Sequence, residues 1–91
     1  MKKVLKFSAS WCGPCKMLSK LISTIETDVE IEEVDVDTNR ELAIEYKVRG
    51  VPLMVMLEDG VEIRRLPGVP GTPGKDSKVI VEKFLNGSLK E

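Results

Sequence analysis

Leu53-Met54-Val55-Met56-Leu57 is a continuous apolar run, closed on one side by Val51-Pro52 and on the other by Glu58-Asp59-Gly60. A run this short between breakers, with no polar alternation, reads as a strand buried on both faces. Such a strand requires covering layers on both sides of its sheet, which places the chain among α/β arrangements. The rest of the sequence must supply those layers.

Residues 3–7 read as a first strand, with Val4 and Leu5 inside and Phe7 at its end, and Ser8-Ala9-Ser10 as a loop. From Pro14 onward, Met17, Leu18, Leu21, Ile22 and Ile25 recur at three- and four-residue spacing. That period predicts a helix packed through these residues and fraying near Thr27-Asp28. Pro14 suits its first turn, where a missing N–H is not needed. Residues 30–37 nearly alternate polar and β-branched side chains and read as a second strand. Thr38 and Glu41 have the spacing of a capping box, predicting a short helix through Leu42, Ala43, Ile44 and Tyr46 that Arg49-Gly50-Val51-Pro52 breaks. Asp59-Gly60 predicts a hairpin turn, with residues 61–66 returning as a strand. Residues 67–74 are rich in proline and glycine and read as a loop. A last helix is expected over residues 76–85, with Val79, Ile80, Phe84 and Leu85 inward and Gly87 near its C-terminal cap. The order is β-α-β-α-β-β-α: a mixed four-stranded sheet with three helices, one domain over residues 1–91.

Charge narrows the function classes. The net charge is −1, and bases are interleaved with acids, as in Glu62-Ile63-Arg64-Arg65. No basic stripe suits a nucleic acid. No run of about 18 apolar residues suits a membrane span, and Met1-Lys2-Lys3 leads into no apolar signal region. The expected location is the cytoplasm, where a cysteine pair is catalytic or metal-binding more often than structural.

The pair is Cys12-Gly13-Pro14-Cys15, preceded by Trp11, in a chain without histidine. Its position at a strand-to-helix junction gives it chemical meaning. Cys12 would sit where unpaired N–H groups and the positive dipole end stabilise a thiolate. Cys15, one turn further in, would be buried and protonated, able to attack a mixed disulfide formed at Cys12. Gly13 gives the loop clearance and Pro14 limits its freedom. A bridge across so short a loop would stabilise the fold little. The rival is a metal site, but structural zinc takes four N/S ligands. Only a dimer pooling both thiols, or a shared iron–sulfur cluster, would complete one. Elsewhere Met54 and Met56 read as core filler, Tyr46 and Phe84 as core, Lys16 as a solvated lysine, and Trp11 as a partly exposed contact residue.

Trp11-Cys12-Gly13-Pro14-Cys15-Lys16-Met17 resembles the active-site motif of the thioredoxin family, and Arg49-Gly50-Val51-Pro52 resembles its cis-proline segment. Gly60 and Gly68 also fall where that family has glycines, and the likeness spans residues 4–85. The family's first strand and helix have no counterpart, so the resemblance implies a compact thioredoxin fold. It further implies an enzyme, a protein-disulfide reductase cycling between dithiol and Cys12–Cys15 disulfide, with Cys12 attacking and Cys15 resolving. Trp11, Val51, Pro52 and Gly68 would line the groove for an extended substrate segment. Electrons would come from thioredoxin reductase or an equivalent donor, and ribonucleotide reductase is a recipient by family habit. A monomer with no dissociable cofactor and no metal is implied.

The sequence departs from the family at Lys6, where thioredoxins commonly carry a buried Asp, and at Glu33, which aligns with that Asp's partnering Lys. Either the pair persists with its charges exchanged, or both side chains point to solvent. If exchanged, Glu33, Lys6 or water replaces the Asp as proton relay for Cys15. Leu53, where Thr is usual, and the longer loop over residues 67–74 bear on partner choice. Two other readings are a glutaredoxin-like reductase fed by glutathione, and a non-enzymatic accessory subunit with incidental thiols.

Overall fold

In the computed structural model, which describes residues 1–69 and 76–86, the elements follow the expected order. They are β1 (Lys2–Ser8), α1 (Gly13–Ile22), β2 (Glu30–Asp35), α2 (Arg40–Glu45), β3 (Leu53–Glu58), β4 (Val61–Pro67) and α3 (Ser77–Asn86). The strands form one sheet in the order β2-β1-β3-β4. β1 runs parallel to β2 and antiparallel to β3, and β4 is the antiparallel return of β3.

The apolar run lies where its composition requires, in the middle of the sheet. Its alternate residues feed two cores. Met54 and Met56 join Val4, Leu18, Val81, Phe84 and Leu85 beneath α1 and α3. Leu53, Val55 and Leu57 join Leu5, Phe7 and Val34 on the other face, covered by Leu42 and Tyr46. The Phe7 and Tyr46 rings are 5.9 Å apart and tilted. The hairpin turn has Asp59 at φ 52 and Gly60 at φ 87, the double positive-φ geometry that favours Asp-Gly. The amino terminus donates to the Asp59 carboxylate at 2.6 Å, fastening β1 to this turn.

Local details differ from the sequence expectations. α1 ends at Ile22, because the Ser23 and Thr24 hydroxyls donate to the Lys20 and Leu21 carbonyls at 2.6 and 2.7 Å. Ile25 still reaches the core from the turn beyond. α2 is capped by Asn39, whose side chain accepts the Leu42 N–H, not by Thr38. The Thr38 hydroxyl is engaged with the Asp35 carbonyl at 3.3 Å in the turn leaving β2. In α3 the inward face is Ser77, Val81, Phe84 and Leu85, and Val79 is half-exposed. Val79 lies two residues, about 200°, from Val81. Met17 is half-exposed too, being turned about 100° from the buried Leu18. Most of the proline- and glycine-rich loop, residues 70–75, and the expected cap at Gly87 lie outside the described residues.

These adjacent α1 positions make a test of packing. Leu18→Ala removes a fully buried side chain between sheet and helices and is expected to cost about 2–5 kcal/mol. Met17→Ala is expected to cost less than about 0.5 kcal/mol. Urea midpoints at neutral pH measure both.

Candidate active site

β1 ends at Ser8, and the chain turns at once: the Cys12 N–H donates to the Ala9 carbonyl at 3.1 Å. Cys12 is the N-cap of α1, with φ −91 and ψ 107. Its Sγ takes the place of a capping oxygen and accepts the Cys15 N–H at 3.1 Å. Pro14 falls in the first turn, where it sacrifices no helical hydrogen bond. A Cβ on Gly13 would meet nothing within 4 Å, so the clearance there faces outward and not toward the chain. Cys12 and Cys15 are joined as a disulfide. Both are buried, at 3% and 2% exposure, so burial does not separate their roles.

The disulfide packs with Ala9 against Val36 and Val51. The Val51–Pro52 peptide is cis, and the Pro52 carbonyl accepts the Gly68 N–H at 2.8 Å. Gly68 sits at φ 69, a conformation that asks for glycine. Two hollows flank Val51. One, about 190 Å³, has Trp11, Val36, Val48 and Arg49 on its walls. The other, about 480 Å³, has Pro52, Gly68, Lys47, Arg49 and Arg65. Trp11, Val51, Pro52 and Gly68 therefore gather at one end of the sheet, with Trp11 and Gly68 in separate hollows that share Val51. Trp11 is 70% exposed, and its Nε1–H donates to Asp37 at 2.9 Å. Asp37 is a site residue the sequence reading missed. Its only signal is a place just beyond β2.

Behind the disulfide, Lys6 and Glu33 are direct register partners on β1 and β2. Lys6 is only 2% exposed, so the alternative in which it points to solvent is overturned. Its Nζ lies 3.2 Å from Glu33 Oε2, and the Ser8 hydroxyl donates to the same oxygen at 2.8 Å. The Glu33 side chain is 60% exposed, so the pair runs from the interior to the surface. The Ser8 hydroxyl and then the Lys6 ammonium hold the Glu33 carboxyl below the ordinary range, while partial desolvation opposes them. A third cavity, about 280 Å³ and open to solvent, is lined by Cys15, Glu33, Ser8, Lys16 and Asp35 among others. Cys15, not Cys12, borders it, and so does Glu33, not Lys6. Ser8 and Asp35, absent from the sequence expectations, belong to this rear cluster. Among the described residues, no group of three or more His, Cys, Asp or Glu is placed to hold a metal.

A family model described as Thioredoxin matches residues 1–80. The chain is 36% identical over 72 residues to a thioredoxin of Mycobacterium bovis, a match covering 75% of this chain and 62% of that protein. It is 35% identical over 72 residues to a bifunctional thioredoxin reductase/thioredoxin of Mycobacterium leprae, covering 75% of this chain and 16% of that protein. A solved mutant thioredoxin from Halobacterium salinarum superposes with a TM-score of 0.81 at 30% identity, covering 99% of this chain and 76% of that one. The chain thus spans less than two thirds of the mycobacterial thioredoxin it matches.

The Glu33 environment makes a pH test. A carboxyl lowered on folding contributes stability in full above its ordinary value near 4.5 and loses it as pH falls through the lowered folded value. Glu33→Gln is expected to lower the Tm at pH 7, and the gap to wild type should narrow as the pH falls below about 4.5. Glu62, held low by Arg65, is present in both proteins and cancels. A gap that stays constant as the pH falls would show that Glu33 ionisation does not support the fold.

Proposed function

The chain belongs to the thioredoxin family, and on that premise we propose that it reduces protein disulfides through Cys12 and Cys15. The carrying observation is the disulfide at the α1 N-cap, with the Cys15 N–H aimed at Cys12 Sγ and Val51 packed alongside. In the dithiol form the same N–H and the helix N-terminus favour negative charge on Cys12 sulfur. The Cys12 thiolate attacks a substrate disulfide, forming a mixed disulfide and expelling one substrate thiolate. Cys15 then loses its proton and attacks Cys12 Sγ, closing the Cys12–Cys15 bond and releasing the second thiolate. Two electrons pass to the substrate, and both substrate thiolates take up protons from water.

Trp11, Val51, Pro52 and Gly68 would seat the extended substrate segment, with Gly13 leaving room beside the disulfide. Glu33 is the group proposed to accept the Cys15 proton through water, since both border a cavity of about 280 Å³, roomy enough for several waters. Lys6 and Ser8 position that carboxylate. The thioredoxin relatives favour this reading over a glutathione-fed one. The joined reductase in the M. leprae relative supports a thioredoxin reductase as donor. The proposed setting is a reducing compartment, with residues 1–91 acting as one exchange unit.

Insulin reduction with NADPH and a thioredoxin reductase tests the reaction. Wild type is expected to turn over, Cys12→Ser to fall to background, and Cys15→Ser to accumulate a mixed disulfide. The Cys12–Cys15 potential should lie near the roughly −270 mV of thioredoxin, while a value near the roughly −120 mV of a strong oxidant would overturn the reductase assignment. Glu33→Gln is expected to slow resolution of a preformed mixed disulfide several-fold near pH 7, with the deficit shrinking at higher pH as hydroxide takes over. Unchanged resolution would remove Glu33 from the proton path.

A further inference from the structure

The hollow beside Pro52 carries charge that the exchange reaction does not use. Among the described residues its walls include Lys47, Arg49 and Arg65 and no carboxylate, in a chain of net charge −1. Arg65 is already engaged, donating to Glu62 at 2.6 and 2.9 Å and to the Tyr46 carbonyl at 3.0 Å. Lys47 and Arg49 are exposed, and neither side chain has a hydrogen-bond or ion-pair partner among the described residues.

The backbone at Lys47 adds a second, independent observation. Its φ is +54. The Lys47 and Val48 N–H groups donate to the Ile44 and Ala43 carbonyls at 3.0 and 2.9 Å, so ending α2 this way demands a left-handed residue after Tyr46. Glycine meets that demand without a Cβ clash, and lysine does not. Among the described residues the other non-glycine at positive φ is Asp59, which its hairpin turn and its bond to the amino terminus explain. At Lys47 the strained backbone instead delivers a cation to the wall of a hollow. Strain kept where glycine would relieve it points to use of the side chain.

We infer that Lys47 and Arg49 form a specificity site for substrates whose disulfide-bearing segment carries acidic residues within a few positions of the attacked cysteine. The inference rests on the disulfide-reduction reading. Val51 touches the disulfide and also walls this hollow. A segment laid over Val51 therefore borders both the disulfide and the hollow. Opposite charge at such a rim acts mainly on the rate of encounter and is screened by salt.

The test uses two peptides identical except for two glutamates or two lysines beside a single cysteine, each as a mixed disulfide with neutral 2-thiopyridine. Release of thiopyridone by the reduced full chain gives the rates. At about 10 mM salt the glutamate peptide is expected to react roughly five- to tenfold faster, with the ratio approaching one near 0.5 M. Lys47→Gly and Arg49→Ala should each at least halve that ratio, and Lys47→Gly should keep the Tm or raise it by up to about 4 °C. Equal rates, or a preference for the lysine peptide, would overturn the specificity site and leave the reductase reading standing. A Lys47→Gly protein that loses several degrees of Tm but keeps the ratio would also overturn it, showing a cation retained for the α2 terminus. No reaction with either peptide would remove both readings.

Discussion

Everything at the site depends on how β1 pairs with its two neighbours. Antiparallel pairing with β3 sets Phe7 opposite Leu53, so the end of one strand meets the beginning of the other. Parallel pairing with β2 sets Ser8 opposite Asp35, bringing the exit of β2 to the same edge. The disulfide loop after Ser8, the Val51–Pro52 segment before Leu53 and the Val36-Asp37 stretch after Asp35 have nowhere else to go. Val36 and Val51 accordingly close over Cys12 and Cys15. A one-residue slip of either pairing would turn alternate residues to the wrong core. Burial of β1 and β3 on both faces therefore also fixes the chemistry.

Burying Lys6 on that central strand is costly unless its charge is answered. Glu33 answers from the adjacent strand, and the Ser8 hydroxyl binds the same carboxylate oxygen. The arrangement is asymmetric: ammonium inside, carboxylate at the mouth of a solvent-open cavity. A buried carboxylate would be pushed toward its neutral form, whereas this one is held ionised and in touch with water. Of the two charges, the one that can accept a proton is therefore the one on the solvent side.

What was legible in the sequence was whatever carried periodicity or a covalent constraint. The apolar run, the Asp59-Gly60 turn and the cysteines at a strand-to-helix junction each imposed their structure locally. The errors fall where two local signals compete. Thr38 and Asn39 both suit a cap, and the choice went to Asn39 because the Asp35 carbonyl occupies the Thr38 hydroxyl. The apolar spacing extended α1 to Ile25, while the Ser23 and Thr24 hydroxyls closed it earlier. Ser8, Asp35, Asp37 and Lys47 were illegible for another reason. Each is an ordinary polar residue whose role exists only once distant strands or a helix end bring it to the site.

The site has two approaches, and their separation matters more than the burial of either sulfur. Cys12 and Cys15 are equally hidden, yet Cys15 borders the rear cavity, whose walls include Ser8, Ser10, Ser19, Glu33 and Asp35. In the proposed reaction substrate enters from the other side, over Val51 and between the two hollows. A mixed disulfide on Cys12 would then cover the front while the solvent-open route behind Cys15 stays clear. The resolving thiol has to lose its proton at the moment when substrate excludes solvent from the face it occupies. In that proposal the polar wall behind Cys15, with its ionised carboxylate, would meet that demand with residues that never need to touch the substrate.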